Sequence, residues 1–140
     1  MGDRGNIEIS QPGATDSVFL YTHWGGSHVC EILASAIVKG RNGDPSYFTR
    51  IVFDEMVNGD RGTTGFGISV GNIEDNEYDV PDVSWNKTDG RMVIVYRDTV
   101  FRPEAFVAMY GSPLTKYEAV PGMDAGIANA KAELTSTEPF

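Results

Sequence analysis

The sequence predicts an α+β fold with a mainly antiparallel β-sheet and two or three helices packed on one face. Several short segments alternate apolar and polar residues, or are rich in β-branched and aromatic residues, as strands are. Two longer segments repeat apolar residues at helical spacing. The predicted order is β-β-α-α-β-β-β-α, and this partial segregation of strands from helices is typical of α+β folds.

The first two predicted strands lie near the amino terminus. The segment NIEIS (residues 6–10) alternates apolar and polar residues, as a half-buried strand does. The segment SVFLYTHW (residues 17–24) is rich in β-branched and aromatic residues. Pro12 and Gly13 lie between them in QPGATD, a composition that predicts a turn. We therefore expect the two strands to pair as a hairpin.

Two helices are predicted between the second and third strands. In GGSHVCEILASAIVKG, Ser27 is expected as the N-cap and Gly40 as the terminating residue. Apolar residues recur in this segment at helical spacing: Val29, Ile32, Leu33, Ala36 and Ile37. Asp44 is expected to cap the second helix, with Pro45 at its first position and NGDRG at its end.

Three further strands and one helix are predicted in the second half of the chain. TTGFGISVG (residues 63–71) predicts a strand interrupted by glycines. DVSWN and RMVIVY predict two strands joined by a hairpin turn at Asp89 and Gly90. RPEAFVAMYG (residues 102–111) predicts a short helix that Pro103 opens.

The length of 140 residues predicts one domain, which we place at residues 1–122. Residues 123–140 are Ala-rich and polar, and we expect a flexible or marginally helical tail there. No apolar stretch is long enough to cross a bilayer, and MGDRGNIEIS lacks the apolar run of a secretory signal. The single cysteine fits a reducing compartment. These features together predict a cytoplasmic protein without a membrane partner.

The charge is strongly acidic, at −9 from 20 acidic and 11 basic residues. General nucleic-acid binding draws most of its affinity from contacts between cations and phosphates, so this balance argues against it. An acidic surface keeps a protein in solution and attracts basic partners.

Five motifs are distinctive in combination: GDRGNI, LYTHWGG, RIVFDEM, TGFGIS and DNEY. With them the chain resembles a family of small uncharacterised proteins of prokaryotes and their phages. The resemblance covers residues 2–78, just over half the chain. It implies a small accessory protein of the cytoplasm, which is the host cytoplasm where a phage carries the gene. The resemblance implies no reaction and no catalytic residue.

Both histidines and the single cysteine fall in LYTHWGGSHVCEIL (residues 20–33). His23, His28 and Cys30 are ligand types that zinc takes, but their spacing is no zinc signature and a fourth ligand is missing, so we predict no metal site. A thiol near a helix start has a lowered pKa, and Cys30 with His23 or His28 as base would then suit nucleophilic catalysis. The alternative is a structural cysteine, because free cysteine packs as a small hydrophobe.

The same stretch also predicts an anion-binding turn. A strand that ends in glycines and opens a helix directs backbone N–H groups and the positive end of the helix dipole at a ligand. The predicted ligand-binding residues are His23, Trp24, Gly25, Gly26, Ser27, His28 and Arg50. The alternative is a tight strand-to-helix turn with Trp24 in the core. No cofactor is predicted.

Three classes of function agree with these features. We favour a non-enzymatic accessory protein that binds a small anionic ligand, such as a nucleotide, or a host protein. The first alternative is a small hydrolase or transferase that uses His23, His28 or Cys30. The second alternative is a virion or structural component, which would assemble into homo-oligomers through an exposed apolar face.

Overall fold

The computed structural model describes residues 2–60, 62, 64–73 and 75–111. The bounds of the six strands are β1 (Gly5–Ser10), β2 (Val18–Thr22), β3 (Phe66–Val70), β4 (Asp82–Trp85), β5 (Met92–Tyr96) and β6 (Thr99–Phe101). The bounds of the three helices are α1 (Val29–Lys39), α2 (Pro45–Val57) and α3 (Pro103–Tyr110). A short 3-10 turn, Gly26–His28, leads into α1.

The six strands form one sheet in the order β3-β2-β1-β4-β5-β6. Every neighbouring pair is antiparallel except β1 and β4, which run parallel. The predicted α+β class with a mainly antiparallel sheet is therefore confirmed. The β1–β2 hairpin and the β4–β5 hairpin are confirmed as well.

One face of the sheet carries the core. The register pairs Ile7 with Leu20, Ile9 with Val83, and Val83 with Ile94, so these side chains share a face. They are buried in a single cluster with the apolar residues of all three helices. The helices therefore pack on one side of the sheet, as predicted. We call the opposite side the outer face.

The helices form where the apolar spacing predicts them. In α1 the side chains of Val29, Leu33 and Ile37 are buried, and the helix packs against both α2 and α3. Asp44 caps α2 as predicted, because its carboxylate accepts the backbone N–H of Tyr47 at 3.4 Å.

One local prediction is wrong, and one strand was not predicted. Ser27 is not the N-cap of α1, because the 3-10 turn intervenes and His28 precedes the helix without a side-chain capping bond. The strand β6 was not predicted from the sequence. That strand returns from β5 through a turn in which Arg97 and Asp98 both have positive φ, at 51° and 63°. Turns of this kind usually contain glycine, because other residues rarely adopt positive φ. Without a glycine, the sequence does not mark this turn.

The predicted boundary at residue 122 and the predicted tail, residues 123–140, lie outside the described residues. Within the described part of the chain, no helix combines the length and apolarity needed to cross a membrane.

Candidate binding surface

The amino-terminal arm lies across the junction between β2 and α1. The backbone N–H of Asp3 donates to the carbonyl oxygen of His23, and the N–H of Gly26 donates to the carbonyl oxygen of Asp3, both at 2.7 Å. The Asp3 carboxylate accepts the Ser27 N–H at 3.2 Å and the Ser27 hydroxyl at 2.7 Å. It also accepts the hydroxyl of Tyr78. These hydrogen bonds, that of Tyr78 foremost, lower the pKa of the Asp3 carboxyl group.

The backbone donors that the anion-binding hypothesis needs are thus directed at the protein itself. Gly25 donates its N–H to Thr22 Oγ1 at 3.1 Å, and the next two N–H groups bond Asp3. A Cβ atom on Gly26 would lie 2.5 Å from the carbonyl carbon of Arg4, so glycine is required there for the arm to approach. Anion binding by this turn stays a prediction, and an anion would have to displace Asp3.

Trp24 is exposed and is held beside the end of β2. Its ring meets the His23 ring edge-on at a centroid distance of 4.4 Å, and 61% of its surface is accessible. His23 Nδ1 in turn lies 2.7 Å from the hydroxyl of Tyr21. The alternative that buried Trp24 in the core is therefore wrong. An ordered, exposed indole offers a flat apolar surface for contact with another molecule.

His28 and Cys30 interact with partners outside this aromatic group. His28 is exposed, and its Nδ1 lies 3.4 Å from Glu31. The Cys30 side chain packs toward the sheet and shares a hydrogen bond with Tyr96 of β5. Burial raises the pKa of the Cys30 thiol and raises that of Tyr96 to about 12.

The three residues that sequence reasoning grouped therefore occupy three environments. Among the described residues, no three or more His, Cys, Asp or Glu side chains are placed to hold a metal ion. The surroundings of Cys30 favour the thiol over the thiolate, which is the reverse of what a nucleophile needs. Catalysis by Cys30, His23 or His28 stays a prediction. Arg50 lies exposed on α2 and makes no hydrogen bond or ion pair with the junction.

The acidic segment at residues 75–79, which we call the acidic loop, follows β3 and is tied to β1 and to the arm before it. Arg4 pairs with Glu77 through Nε at 2.9 Å and with Asp75 through Nη1 at 3.0 Å. The Glu77 N–H also donates to the carbonyl oxygen of Arg4 at 2.9 Å. Asn6 donates its side-chain amide to the carbonyl oxygen of Asp75 at 2.7 Å and to Asn76 Oδ1 at 3.2 Å. Hydrogen bonds from Arg4 lower the pKa of Glu77.

The acidic loop and the outer face border an open cavity of roughly 310 Å³. Its lining residues are Asn6, Tyr21, Gly67, Ile68, Ser69 and Asp75. Tyr21 is central, because the register places it between Asn6 on β1 and Gly67 on β3. Burial raises the pKa of the Tyr21 hydroxyl. The volume lies at the lower end of the range for small-molecule sites and is large enough for one long side chain of a partner.

Four of the five distinctive motifs meet at this surface. GDRGNI supplies Asp3, Arg4 and Asn6, and DNEY supplies the loop that they bind. LYTHWGG and TGFGIS supply the neighbouring strands β2 and β3. The fifth motif, RIVFDEM, instead contributes buried core residues of α2. Sequence reasoning missed five residues of this surface, although three of the motifs contain them: Asp3, Asn6, Tyr21, Asp75 and Tyr78.

Comparison of the chain with protein-family models, with curated proteins and with solved structures finds no significant match. Functional inference for this chain therefore starts from the geometry of the surface described above.

Proposed function

We propose that this chain is a non-catalytic binding protein, and that its recognition surface is the outer-face cavity together with Trp24. The observation that carries the proposal is the cavity itself, which β1, β2, β3 and the acidic loop build together. Hydrogen bonds and ion pairs hold its walls, so the surface is preorganised. Preorganisation lowers the ordering cost of binding, which supports a recognition role.

The local charge supports a basic partner over a free anion. Arg4 pairs with Asp75 and Glu77, and Asp3 adds a third carboxylate that is bonded to Tyr78 of the same loop, so carboxylates outnumber cations here. The backbone donors beside them are bonded to Asp3. Of the two ligand classes expected from the sequence, a protein partner is therefore better supported than a nucleotide. The net charge of −9 supports the same choice.

The biological setting follows the resemblance. The protein would act in the cytoplasm, and if a phage carries the gene the partner would be a host protein. Binding would then alter the partner by occupying one of its basic surfaces. A preformed acidic surface suits this role, because complementary charge increases the rate of encounter.

Native mass spectrometry of the protein purified from its own cells tests the proposal. We expect a complex of protein-sized added mass that is retained by wild type and lost in Trp24→Ala. Tyr47→Ala is the matched control, because Tyr47 is also an exposed aromatic residue but lies on α2. A bare mass for wild type, or equal loss in both variants, would contradict the proposal. A nucleotide-sized adduct would assign a small ligand instead.

A further inference from the structure

The outer edge of β3 has no partner strand among the described residues. This strand is the terminal one in the sheet order. The segment FGISV contains no charged residue and no proline, which are the usual devices that protect an edge. Ile68 is 60% exposed and Val70 is 64% exposed. An uncharged edge with exposed apolar side chains is a template for strand addition.

The backbone groups that face outward can be assigned from the hydrogen bonds to β2. The His23 N–H donates to the Gly65 carbonyl oxygen at 2.8 Å, and the Gly71 N–H donates to the Ser17 carbonyl oxygen at 2.9 Å. Hydrogen-bonded pairs alternate along an antiparallel ladder, so Gly67 and Ser69 also turn their backbone groups toward β2. The N–H and C=O groups of Phe66, Ile68 and Val70 therefore point to the free edge.

The same alternation sets the side chains that an added strand would need. On an added strand, the residues opposite Phe66, Ile68 and Val70 would lie on the same face as those three side chains. Because Ile68 and Val70 are exposed apolar residues, apolar side chains suit these positions. The intervening positions lie on the outer face beside Gly67 and Ser69, next to the cavity. From there a lysine or arginine side chain can reach across Gly67 toward Tyr21 and Asp75. Asp75 pairs with Arg4 through Oδ1 but stays 50% exposed, so its other oxygen can accept a second cation.

Charge complementarity favours a basic partner over a second copy of this chain as the added strand. Asp75 lines the cavity, and the Asp16 carboxyl group lies 3.7 Å from a Cβ built on Gly71, at the end of β3. Asp75 keeps half of its side chain exposed beside its partner Arg4, and Asp16 is exposed as well. A second copy of this chain would bring the same carboxylates to the shared edge, where like charges repel. A basic segment would instead be attracted to them.

We propose that the edge of β3 binds an extended segment of a basic partner protein, with apolar and basic residues in alternation, as an added antiparallel strand. This inference rests on the proposed binding function and specifies how the partner docks. Backbone bonds to Phe66, Ile68 and Val70 supply affinity, and the cavity selects the basic side chain.

Amide hydrogen exchange on the full chain tests the docking mode. The probe is a capped peptide, Ac-Val-Lys-Val-Arg-Val-NH2, and its charge-reversed control is Ac-Val-Glu-Val-Glu-Val-NH2. We expect the Phe66, Ile68 and Val70 amides to exchange rapidly in the free monomer and to be protected by the basic peptide. The acidic peptide should bind at least about tenfold more weakly.

Slow exchange of these amides in the free monomer would show that other residues of the same chain already cover the edge. Protection that rises with protein concentration would assign it to a second copy. Either result overturns the proposal.

Two proline variants locate the interaction on the edge. Ile68→Pro removes an outward N–H and leaves the β2–β3 ladder intact, so we expect a folded protein that no longer binds the basic peptide. Ser69→Pro removes an inward N–H and should disrupt the ladder itself. Binding by a folded Ile68→Pro would overturn the edge proposal. A Trp24-dependent partner that survives Ile68→Pro in native mass spectrometry would leave the proposed function standing and reject only this docking mode.

Discussion

Asp3 receives two hydrogen bonds from Ser27, one from the backbone N–H at 3.2 Å and one from the hydroxyl at 2.7 Å. The amino-terminal arm therefore places a carboxylate at the strand-to-helix junction. This carboxylate accepts hydrogen-bond donors that the anion-binding hypothesis assigns to a ligand.

Asp3→Asn is expected to lower the melting temperature at neutral pH. An amide cannot accept all the hydrogen bonds that the carboxylate accepts from Ser27 and Tyr78. The pKa of Asp3 is lowered in the fold, so its contribution is present above the unfolded pKa and is lost as pH falls through the folded pKa. The difference in melting temperature should therefore vanish in acid. Asp54→Asn, at an exposed position of α2, is the control. A difference that does not vary with pH would contradict this account.

Asp82→Asn is expected to have the opposite effect. Burial raises the pKa of Asp82 in the fold, so the ionised carboxylate costs folding free energy at pH values above that pKa. Ser10 donates to this side chain at 2.8 Å, and an asparagine oxygen can still accept that bond. The variant should melt at a higher temperature than wild type at neutral pH. The gain should disappear as the pH falls through the raised pKa, where wild type also becomes neutral. A lower melting temperature at neutral pH would contradict the prediction.

Asn42→Leu is expected to stabilise the fold. The Asn42 side chain is 1% exposed, and neither its amide nitrogen nor its oxygen has a hydrogen-bond partner among the described residues. Leucine has the same branched shape and removes the unsatisfied polar atoms, so the free energy of unfolding should rise by about 1 kcal/mol. Urea denaturation measures it. Trp85→Phe should cost about 1–3 kcal/mol in the same assay, because Trp85 Nε1 donates to the Asn42 carbonyl oxygen at 2.7 Å.

Cys30 is expected to react slowly with iodoacetamide at neutral pH. Burial raises its thiol pKa, and alkylation requires the thiolate. The rate should be below that of glutathione and should rise steeply in alkaline solution. Tyr96→Phe should slow the reaction further, because the Tyr96 hydrogen bond lowers the thiol pKa. Alkylation faster than glutathione at neutral pH would revive the thiol-enzyme alternative.

The two tryptophans should respond oppositely to acrylamide. Trp24 is 61% exposed and Trp85 is 6% exposed. In Trp85→Phe the remaining fluorescence should therefore be quenched efficiently, and in Trp24→Phe it should be protected. Quenching by the basic peptide in Trp85→Phe would also report binding near Trp24. Equal quenching of the two variants would contradict the assigned exposures.

Local patterns predicted the elements of this fold well. Alternation identified β1, and apolar spacing identified α1 and α2, because one face of each is buried. The pairing of β1 with β4 could not be predicted, since no local pattern specifies which distant strands meet. The Ser27 cap was wrong for a related reason: Asp3, 24 positions away in the sequence, accepts the Ser27 hydroxyl.

Proximity in sequence was a poor guide to the proposed recognition surface. His23, His28 and Cys30 are close along the chain but belong to different elements. His23 follows the end of β2, His28 lies in the 3-10 turn and Cys30 lies in α1. Asn6 and Asp75 are distant in sequence and meet through the loop. Asn6 also continues the apolar–polar alternation of β1, so its position on the outer face could be read from the pattern, but its partner could not.

The parallel pairing of β1 with β4 also has a kinetic consequence. The part of the chain that precedes β4 contains β1–β3 with α1 and α2. The part from β4 onward contains β4–β6 with α3. Ser10 and Asp82, bonded across the pair, are 72 positions apart, so joining the halves closes a long loop at an entropic cost. The halves are expected to gain structure before they join. Cleavage between β3 and β4, within residues 71–81, should therefore give two fragments whose reassociation isolates the slow step of folding.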